Sequence, residues 1–155
     1  MIYWFTGQPG AGKTVLAELL KVKLEAPRNF AYKIFRIDGD EMRELFKNKD
    51  YSMKGRIANI DAAQKIAHYL HNQGKDVIVS LVSPYLDQRE EFKDMMEWQL
   101  QEIFVHYNIA EIRRGREEYH VMDFQKPIFD YLDIDTTLET PEESLTKILN
   151  YVKTV

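Results

Sequence analysis

A glycine-rich run near the start of the sequence has the residue types needed to bind phosphate. Residues 7–14 read Gly-Gln-Pro-Gly-Ala-Gly-Lys-Thr and fill the pattern G-x-x-x-x-G-K-[ST] completely. Glycines let the backbone curl so that successive N–H groups point at phosphate oxygens, the lysine adds a mobile positive charge, and the threonine hydroxyl can ligate magnesium. The pattern therefore predicts a nucleoside-triphosphate site formed by Gly7, Gly10, Ala11, Gly12, Lys13 and Thr14.

Two aspartates follow the second apolar run of the sequence. Asp38 and Asp40 are two residues apart, so in a strand both carboxylates project to one side, over the crevice where ligands of open α/β sheets bind. Transfer of a γ-phosphoryl group requires an anion near magnesium and a group that orients or deprotonates the acceptor hydroxyl. Either aspartate is a candidate for either role. The alternative is that Asp40 caps a short helix and Asp38 begins a turn.

Short apolar runs alternate with helical patterns along the chain. The predicted strands are residues 2–5, 32–37, 77–82, 102–106 and 131–134. The predicted helices begin after the glycine-rich run and then cover residues 41–46, 56–72, 87–99 and 141–152. Because strand–helix–strand units favour parallel pairing, the pattern predicts one α/β domain, a three-layer P-loop kinase fold whose five-stranded parallel sheet is flanked by helices.

The sequence also predicts details of three helices. Ile57 falls in the apolar stripe of the helix over residues 56–72. Asp87 is expected to cap the next helix, with Met95 on its inner side. Thr140 and Glu143 are expected to form a capping box at the start of the last helix.

Composition excludes several classes of protein. The 155 residues include no cysteine, which excludes a disulfide framework and a thiolate zinc site. A net charge of -4 argues against strong non-specific binding to nucleic acid or to an anionic membrane. No apolar run approaches the roughly 20 residues of a membrane span, and a strand directly after Met1 leaves no room for a signal peptide, so we expect a soluble, cytoplasmic protein. The apolar face of residues 56–72 is compatible with a homodimer.

Four stretches in a fixed order carry a resemblance to a known family. They are the glycine-rich run, Asp38–Arg43 (DGDEMR), Tyr51-Ser52 with the following Arg56 and Asn59-Ile60, and Ser80–Tyr85 (SLVSPY). Over roughly residues 1–106 the sequence resembles the adenylylsulfate (APS) kinases. The resemblance implies an enzyme that uses ATP and Mg²⁺ to phosphorylate the 3′-hydroxyl of APS, which gives PAPS in sulfate assimilation.

The resemblance also implies roles for the residues that would bind the acceptor. Arg43 and Arg56 would clasp the phosphosulfate of APS, and Asn59 would hydrogen-bond to it. Tyr51, where the family often has Phe, would stack on the adenine. Val82 would line the same pocket.

A second group of roles concerns the reacting atoms. By resemblance, Asp40 would orient or deprotonate the 3′-hydroxyl, and Asp38 would support magnesium together with Thr14. Lys13 would bind the β- and γ-phosphates. Ser83 stands in the acceptor pocket where some members carry a phosphorylatable serine, and its alternative role is that of a turn hydroxyl before Pro84.

A charged segment, residues 109–127, replaces the longer lid of the family. Arg113 and Arg116 are the candidates for contacting ATP, because lid arginines stabilise charge on the transferring phosphoryl group in small kinases. Tyr119 or Phe124 is the candidate for the missing stacking ring.

The sequence also departs from the family beside the acceptor pocket. Asp61 and Ala62 stand where the family usually has two arginines, which removes positive charge from one side of that pocket. Two alternatives therefore stay open. One is a kinase acting on another nucleotide, nucleoside or nucleic-acid end, and the other is a nucleotide-binding ATPase without a small acceptor.

Overall fold

Strands and α-helices alternate along the part of the chain that the computed structural model describes, residues 1–26, 33–107 and 119–152. The strands are β1 (Ile2–Thr6), β2 (Phe35–Asp38), β3 (Val77–Ser80), β4 (Leu100–His106) and β5 (Tyr131–Asp135). The helices are α1 (Lys13–Glu25), α2 (Gly39–Leu45), α3 (Met53–Asn72), α4 (Leu86–Met96) and α5 (Pro141–Val152), and a 3₁₀ turn, Glu97–Gln99, follows α4.

The five strands form one sheet in the order β2-β3-β1-β4-β5, and every neighbouring pair is parallel. The chain leaves β1, passes over β3 to form the edge strand β2, and later returns to the other side of β1 with β4. Ligands of open α/β sheets bind beyond the carboxyl ends of strands where the direction of winding changes. The predicted parallel sheet is therefore confirmed, and its topology directs attention to the loop after β1.

The core lies in two layers, one on each face of the sheet. In β1, Ile2 and Trp4 pack with α3 and α4, whereas Tyr3 and Phe5 pack with α1 and α5. This alternation explains why the first strand reads as an unbroken apolar run, since both of its faces are buried. The predicted three-layer arrangement is confirmed.

Two details of the predicted helices are wrong. Asp87 does not cap α4, because the helix begins at Leu86 after an extended Tyr85, and Asp87 lies within its first turn. Met95 was expected on the inner face but is 54% exposed, since Phe92 and Met96 define that face and Met95 points about 100° away from Met96.

The long helix α3 also differs from its prediction. It begins three residues earlier, at Met53, because the Ser52 hydroxyl accepts a hydrogen bond from the Gly55 amide and caps it. Ile57 was expected in the buried stripe but is 41% exposed, whereas Ile60, Ala63 and Ala67 are buried.

The last helix follows its sequence signals closely. The Thr140 amide donates to Glu143 Oε2, and the Glu143 amide donates to Thr140 Oγ1, which is the reciprocal capping box that the sequence predicts for α5. Within the described ranges, none of the helices combines the length and the apolar character that crossing a membrane requires.

The predicted lid is described only in part. Residues 120–127 contain no helix, and apart from a turn at residues 122–123 they have no regular secondary structure. The arginines proposed to contact ATP, Arg113 and Arg116, lie outside the described residues.

Candidate active site

The loop between β1 and α1 has the backbone conformation of a phosphate-binding loop. Gly7 has φ +144°, and a Cβ at this position would lie 2.0 Å from the Val105 carbonyl oxygen, so only glycine fits. Lys13 Nζ donates to the carbonyl oxygens of Gly7 and Gln8, each at 2.8 Å. Gly12 is the N-cap residue of α1 and supplies no side-chain cap, which leaves the first amides of the helix available to an anion.

Asp38 connects this loop to the neighbouring strands. Its Oδ2 accepts hydrogen bonds from Thr14 Oγ1 at 3.0 Å and Ser80 Oγ at 2.8 Å, and lies 3.3 Å from Arg36 Nη1. Its Oδ1 accepts from the Asp40 amide and caps α2, so the alternative in which Asp40 is the cap is wrong. A carboxylate beside two hydroxyls offers the hard oxygen donors that Mg²⁺ prefers, and these three residues fit a magnesium ion bound together with phosphate.

Sequence reasoning assigned no role to Ser80, although it is the residue that joins β3 to this cluster. It lies within an otherwise apolar run, so its local sequence gives no sign of a role in the site. The available signal is register, since β2 and β3 pair in parallel and place Ser80 directly opposite Asp38. A polar residue at the carboxyl end of a buried strand is therefore a candidate for the site.

One cavity of about 310 Å³ opens beside the phosphate loop. It is lined by eleven of the predicted site residues, namely Gly10, Lys13, Thr14, Asp38, Asp40, Arg43, Tyr51, Arg56, Asn59, Val82 and Ser83. Tyr119, a candidate for the stacking ring, also lines it. The remaining lining residues have no predicted role and are Pro9, Gly39, Ile60, Ser80, Leu81 and Pro84. Gly7, Ala11 and Gly12 do not line it. The fold thus brings the predicted phosphate and acceptor residues to one place.

The two arginines that were predicted to bind the acceptor both line this cavity. Arg43 donates to the Asp50 carbonyl oxygen at 2.8 Å, and its guanidinium carbon lies 4.1 Å from the centre of the Tyr51 ring. Arg56 donates to the carbonyl oxygens of Tyr51 at 2.9 Å and of Tyr119 at 3.3 Å. Both side chains are therefore held in place by backbone carbonyl groups, those of Tyr51 and Tyr119 in the cavity wall and that of Asp50 beside it.

Electrostatics make this end of the cavity favourable for an anion. Burial lowers the pKa of the Arg43 guanidinium, Tyr51 opposes that shift, and the neighbouring positive charge of Arg56 lowers the pKa further. An arginine nevertheless stays charged at every ordinary pH. The carboxylates of Asp40 and Asp50 act in the opposite direction and raise the Arg43 pKa. A bound anion would relieve the repulsion between the two cations.

Tyr119 and Phe124 are the two candidates for the missing stacking ring of the lid, and the structure brings only Tyr119 to the cavity. The Tyr119 ring lies 4.9 Å from that of Tyr51, and both line the cavity. Phe124 instead stacks on Phe104 at 5.8 Å and does not line the cavity.

Asn59 belongs to α3, lines the cavity and contacts the start of α2. Its Nδ2 donates to the Gly39 carbonyl oxygen at 3.3 Å, while its Oδ1 is buried without a hydrogen-bond partner among the described residues. An unpaired buried carbonyl is costly, and this oxygen is available to accept a bond from a ligand. A phosphosulfate offers only acceptors, so in this orientation the oxygen suits a hydroxyl or amine donor and not the phosphosulfate.

The departures at Asp61 and Ala62 do not add negative charge to the cavity. Asp61 pairs with Lys65 at 2.7 Å along the exposed side of α3, and Ala62 packs against the core. Neither residue lines the cavity. The site lacks the family's two arginines, but no acid takes their place inside it.

Ser83 lies at the turn after β3. It is buried, has φ +41°, and its Oγ accepts a hydrogen bond from Trp4 Nε1 at 3.2 Å. This geometry fits the alternative role of Ser83, that of a turn hydroxyl, because the buried Trp4 side chain fixes it by a hydrogen bond.

Comparison with known proteins agrees with this site. The family model for adenylylsulphate kinase matches residues 1–146. The adenylyl-sulfate kinase of Rippkaea orientalis is 33% identical over 161 aligned positions, which cover 94% of this chain and 87% of the relative. The cytidine diphosphoramidate kinase of Campylobacter jejuni is 32% identical over 149 positions, which cover 93% and 83%.

A solved structure shows the same fold. The Mycobacterium tuberculosis APS kinase CysC, in complex with AMPPNP and APS, superposes with a TM-score of 0.82 at 21% identity over 98% of this chain and 96% of that one. The fold, the phosphate loop and the family model lead to one conclusion: the chain belongs to the adenylylsulfate kinase family of P-loop kinases and is a nucleotide-binding phosphotransferase.

Proposed function

We propose that the protein transfers the γ-phosphoryl group of ATP to the 3′-hydroxyl of APS. The observation that carries this proposal is that one cavity is lined both by Lys13 and Thr14 of the phosphate loop and by Arg43 and Arg56. A nucleotide-binding ATPase would need only the first pair. The second pair gives the cavity an anion-binding wall that suits a second, negatively charged substrate.

On the donor side, the loop amides and Lys13 bind the β- and γ-phosphates. Thr14, Asp38 and Ser80 are the residues that would hold magnesium, because their oxygens are already gathered around one carboxylate. Magnesium, when bound, neutralises charge on the β- and γ-phosphates. Asp40 lines the cavity without being used as the helix cap, so its carboxylate is available to orient or deprotonate the acceptor hydroxyl.

On the acceptor side, two guanidinium groups match the two linked anionic groups of a phosphosulfate. Asn59 offers a buried amide oxygen to a donor on the acceptor, and the rings of Tyr51 and Tyr119 offer faces for a base. Backbone hydrogen bonds hold both arginines, so they are ordered before the acceptor binds. Such prior ordering lowers the entropic cost of binding.

A second candidate acceptor is cytidine diphosphoramidate. A relative that acts as its kinase matches this chain about as well as an adenylyl-sulfate kinase does, at 32% against 33% identity. The absence of the arginine pair at Asp61 and Ala62 also leaves the pocket less basic than the APS-binding pattern of the family. Both acceptors present a ribose hydroxyl and two linked acidic groups, so the same two arginines suit either.

The test measures ADP release with ATP and Mg²⁺ in the presence of APS, of cytidine diphosphoramidate, or of no acceptor. Mass spectrometry of the acceptor identifies a gained phosphoryl group, and Lys13→Ala controls for contaminating kinases. We expect turnover that depends on APS. Turnover with cytidine diphosphoramidate alone would establish the second candidate, and hydrolysis of ATP that ignores both acceptors would contradict the proposal.

A further inference from the structure

Three buried charges lie behind the cavity, in a group that the proposed chemistry does not use. Arg89 and Lys93 of α4 are 4% and 8% exposed, and Glu102 of β4 is 1% exposed. Arg89 Nε and Lys93 Nζ each lie 2.8 Å from one oxygen of the Glu102 carboxylate, and Lys93 also pairs with Glu90 at 3.1 Å. Because desolvation offsets most of the attraction between buried charges, such a group is weak evidence of a gain in stability. Its other contacts are more informative.

Arg89 hydrogen-bonds to the turn that ends in the active-site cavity. Its Nη1 donates to the carbonyl oxygen of Ser83, a residue that lines the cavity in a left-handed conformation. Thr6 Oγ1 donates to the same oxygen at 3.2 Å and to the Val82 oxygen at 2.8 Å, and Val82 in turn accepts from the Gly7 amide. The turn is thus held between Arg89 and the beginning of the phosphate loop.

The other terminal nitrogen of the Arg89 guanidinium holds the last part of the predicted lid segment. Its Nη2 donates to the Gln125 carbonyl oxygen at 2.6 Å. The Gln125 amide donates to Pro84 O at 2.9 Å, and the Gln125 side chain accepts from the Leu86 amide at 2.7 Å. These bonds fasten residue 125 to the Ser83 turn.

The same part of the lid segment, residues 119–125, also contributes to the cavity wall. Tyr119 lines the cavity, and two hydrogen bonds join Val121 to the Gln8 side chain of the phosphate loop, at 2.6 and 3.1 Å. The segment 119–125 is therefore held at one end by the phosphate loop and at the other end by Arg89.

We propose that Arg89 is a positioning residue, one that fixes the Ser83 turn and the 119–125 segment to each other so that the acceptor wall keeps its distance from the phosphate loop. Its planar guanidinium group contacts the carbonyl oxygens of Ser83 and Gln125 and the Glu102 carboxylate at the same time, which a lysine ammonium would not do. The kinetic part of this inference rests on the proposed phosphoryl transfer, whereas its structural part does not.

Two matched double variants test the inference. Arg89→Met/Glu102→Gln leaves Lys93 paired with Glu90, and Lys93→Met/Glu102→Gln leaves Arg89 near the same glutamate, so each variant removes one positive and one negative buried charge. Only the first variant removes the Arg89 guanidinium group and its hydrogen bonds to Ser83 and Gln125. Comparison of the two therefore separates positioning from the cost of unpaired charge.

We expect the Arg89→Met/Glu102→Gln variant to raise the KM for the acceptor about tenfold or more, because small misplacements of positioning groups are costly, while the KM for ATP changes less than about twofold. Hydrogen exchange should accelerate at the amides of Leu86, Val121 and Gln125. The Lys93→Met/Glu102→Gln variant should keep the acceptor KM and these exchange rates within about twofold of the wild-type values, since it keeps the Arg89 guanidinium group.

Equal behaviour of the two variants would overturn the inference. If the wild-type protein turns over neither acceptor, the proposed function fails, and the exchange rates alone decide whether Arg89 holds the segment. Faster exchange confined to the Arg89 variant then supports the structural part, and unchanged exchange contradicts it.

Discussion

The two ends of the cavity are built in different ways. The phosphate end is made by backbone amides and one lysine of a single run, residues 7–14, whose shape depends on glycines with positive φ. The proposed acceptor end is made by side chains from α2, from the loop before α3, from α3 itself and from the chain around Tyr119. The first is thus local in sequence, and the second depends on tertiary contacts.

This difference bears on how the family varies its substrates. A site made of backbone changes little under substitution, since side chains contribute little to its shape. A site made of side chains changes with each of them. The structure therefore offers a reason why two relatives of similar identity carry the names of different acceptors, adenylylsulfate and cytidine diphosphoramidate.

The largest effect is expected at the phosphate end. Lys13→Ala removes the charge that hydrogen-bonds to the loop carbonyls, and we expect kcat to fall by about 10²–10³-fold, comparable to the loss of one preorganised donor to a transition state. Lys23→Ala, an exposed lysine of the same helix, is the control. Initial rates and circular dichroism of both variants are the measurements. Wild-type turnover by a folded Lys13→Ala protein would contradict the assignment of the donor site.

Substitutions of the two aspartates test whether Asp40 acts on the acceptor hydroxyl and Asp38 on magnesium. We expect Asp40→Asn to lower kcat by about 10²-fold or more without changing the melting temperature, because general-base groups contribute 10²–10⁴-fold and Asp40 does not cap α2. Asp38→Asn keeps a good capping residue, and we expect it to raise the Mg²⁺ concentration needed for half-maximal rate. The reverse pattern, with magnesium dependence altered only by Asp40→Asn, would exchange the two roles.

At the acceptor end, Arg43→Ala is expected to raise the KM for the acceptor about ten- to a hundredfold, the equivalent of lost hydrogen bonds to a charged group. The KM for ATP should stay the same, because Arg43 contacts the loop at Asp50 and not the phosphate run. Lys54→Ala removes an exposed charge of the same sign nearby and serves as the control. Equal increases in both KM values would show that the two ends are not separable.

The smallest effect is expected far from both ends, at the capping box of α5. Hydrogen bonds from the Thr140 amide and hydroxyl lower the pKa of Glu143, so its charged form stabilises the fold above the ordinary carboxyl range, and this contribution is lost as pH falls through the lowered pKa. Glu143→Ala should lower the melting temperature slightly at pH 7, and its difference from wild type should disappear in acid. Glu142→Ala is the control, and activity should not change. A difference that persists in acid would contradict the charge-based explanation.

Local features of the sequence predicted most of the fold and the phosphate end. The glycine-rich run, the apolar strands and the capping box each fall within a dozen residues, so their physics can be read without tertiary information. Ser80 was missed because only strand register places it beside Asp38. Arg89 was missed because nothing in its own helix distinguishes it from exposed charges, and its burial depends on Glu102 of another element. The error at Met95 has the same origin, since neighbours from outside a helix decide which side of its apolar stripe is covered.

The most direct test of this account is a crystal structure with a non-hydrolysable ATP analogue and APS bound together. We predict that the γ-phosphate lies beside Lys13, that the anionic groups of APS lie between Arg43 and Arg56, and that its 3′-hydroxyl faces both Asp40 and the γ-phosphate. An acceptor bound outside this cavity, or one whose anionic groups avoid both arginines, would contradict the account.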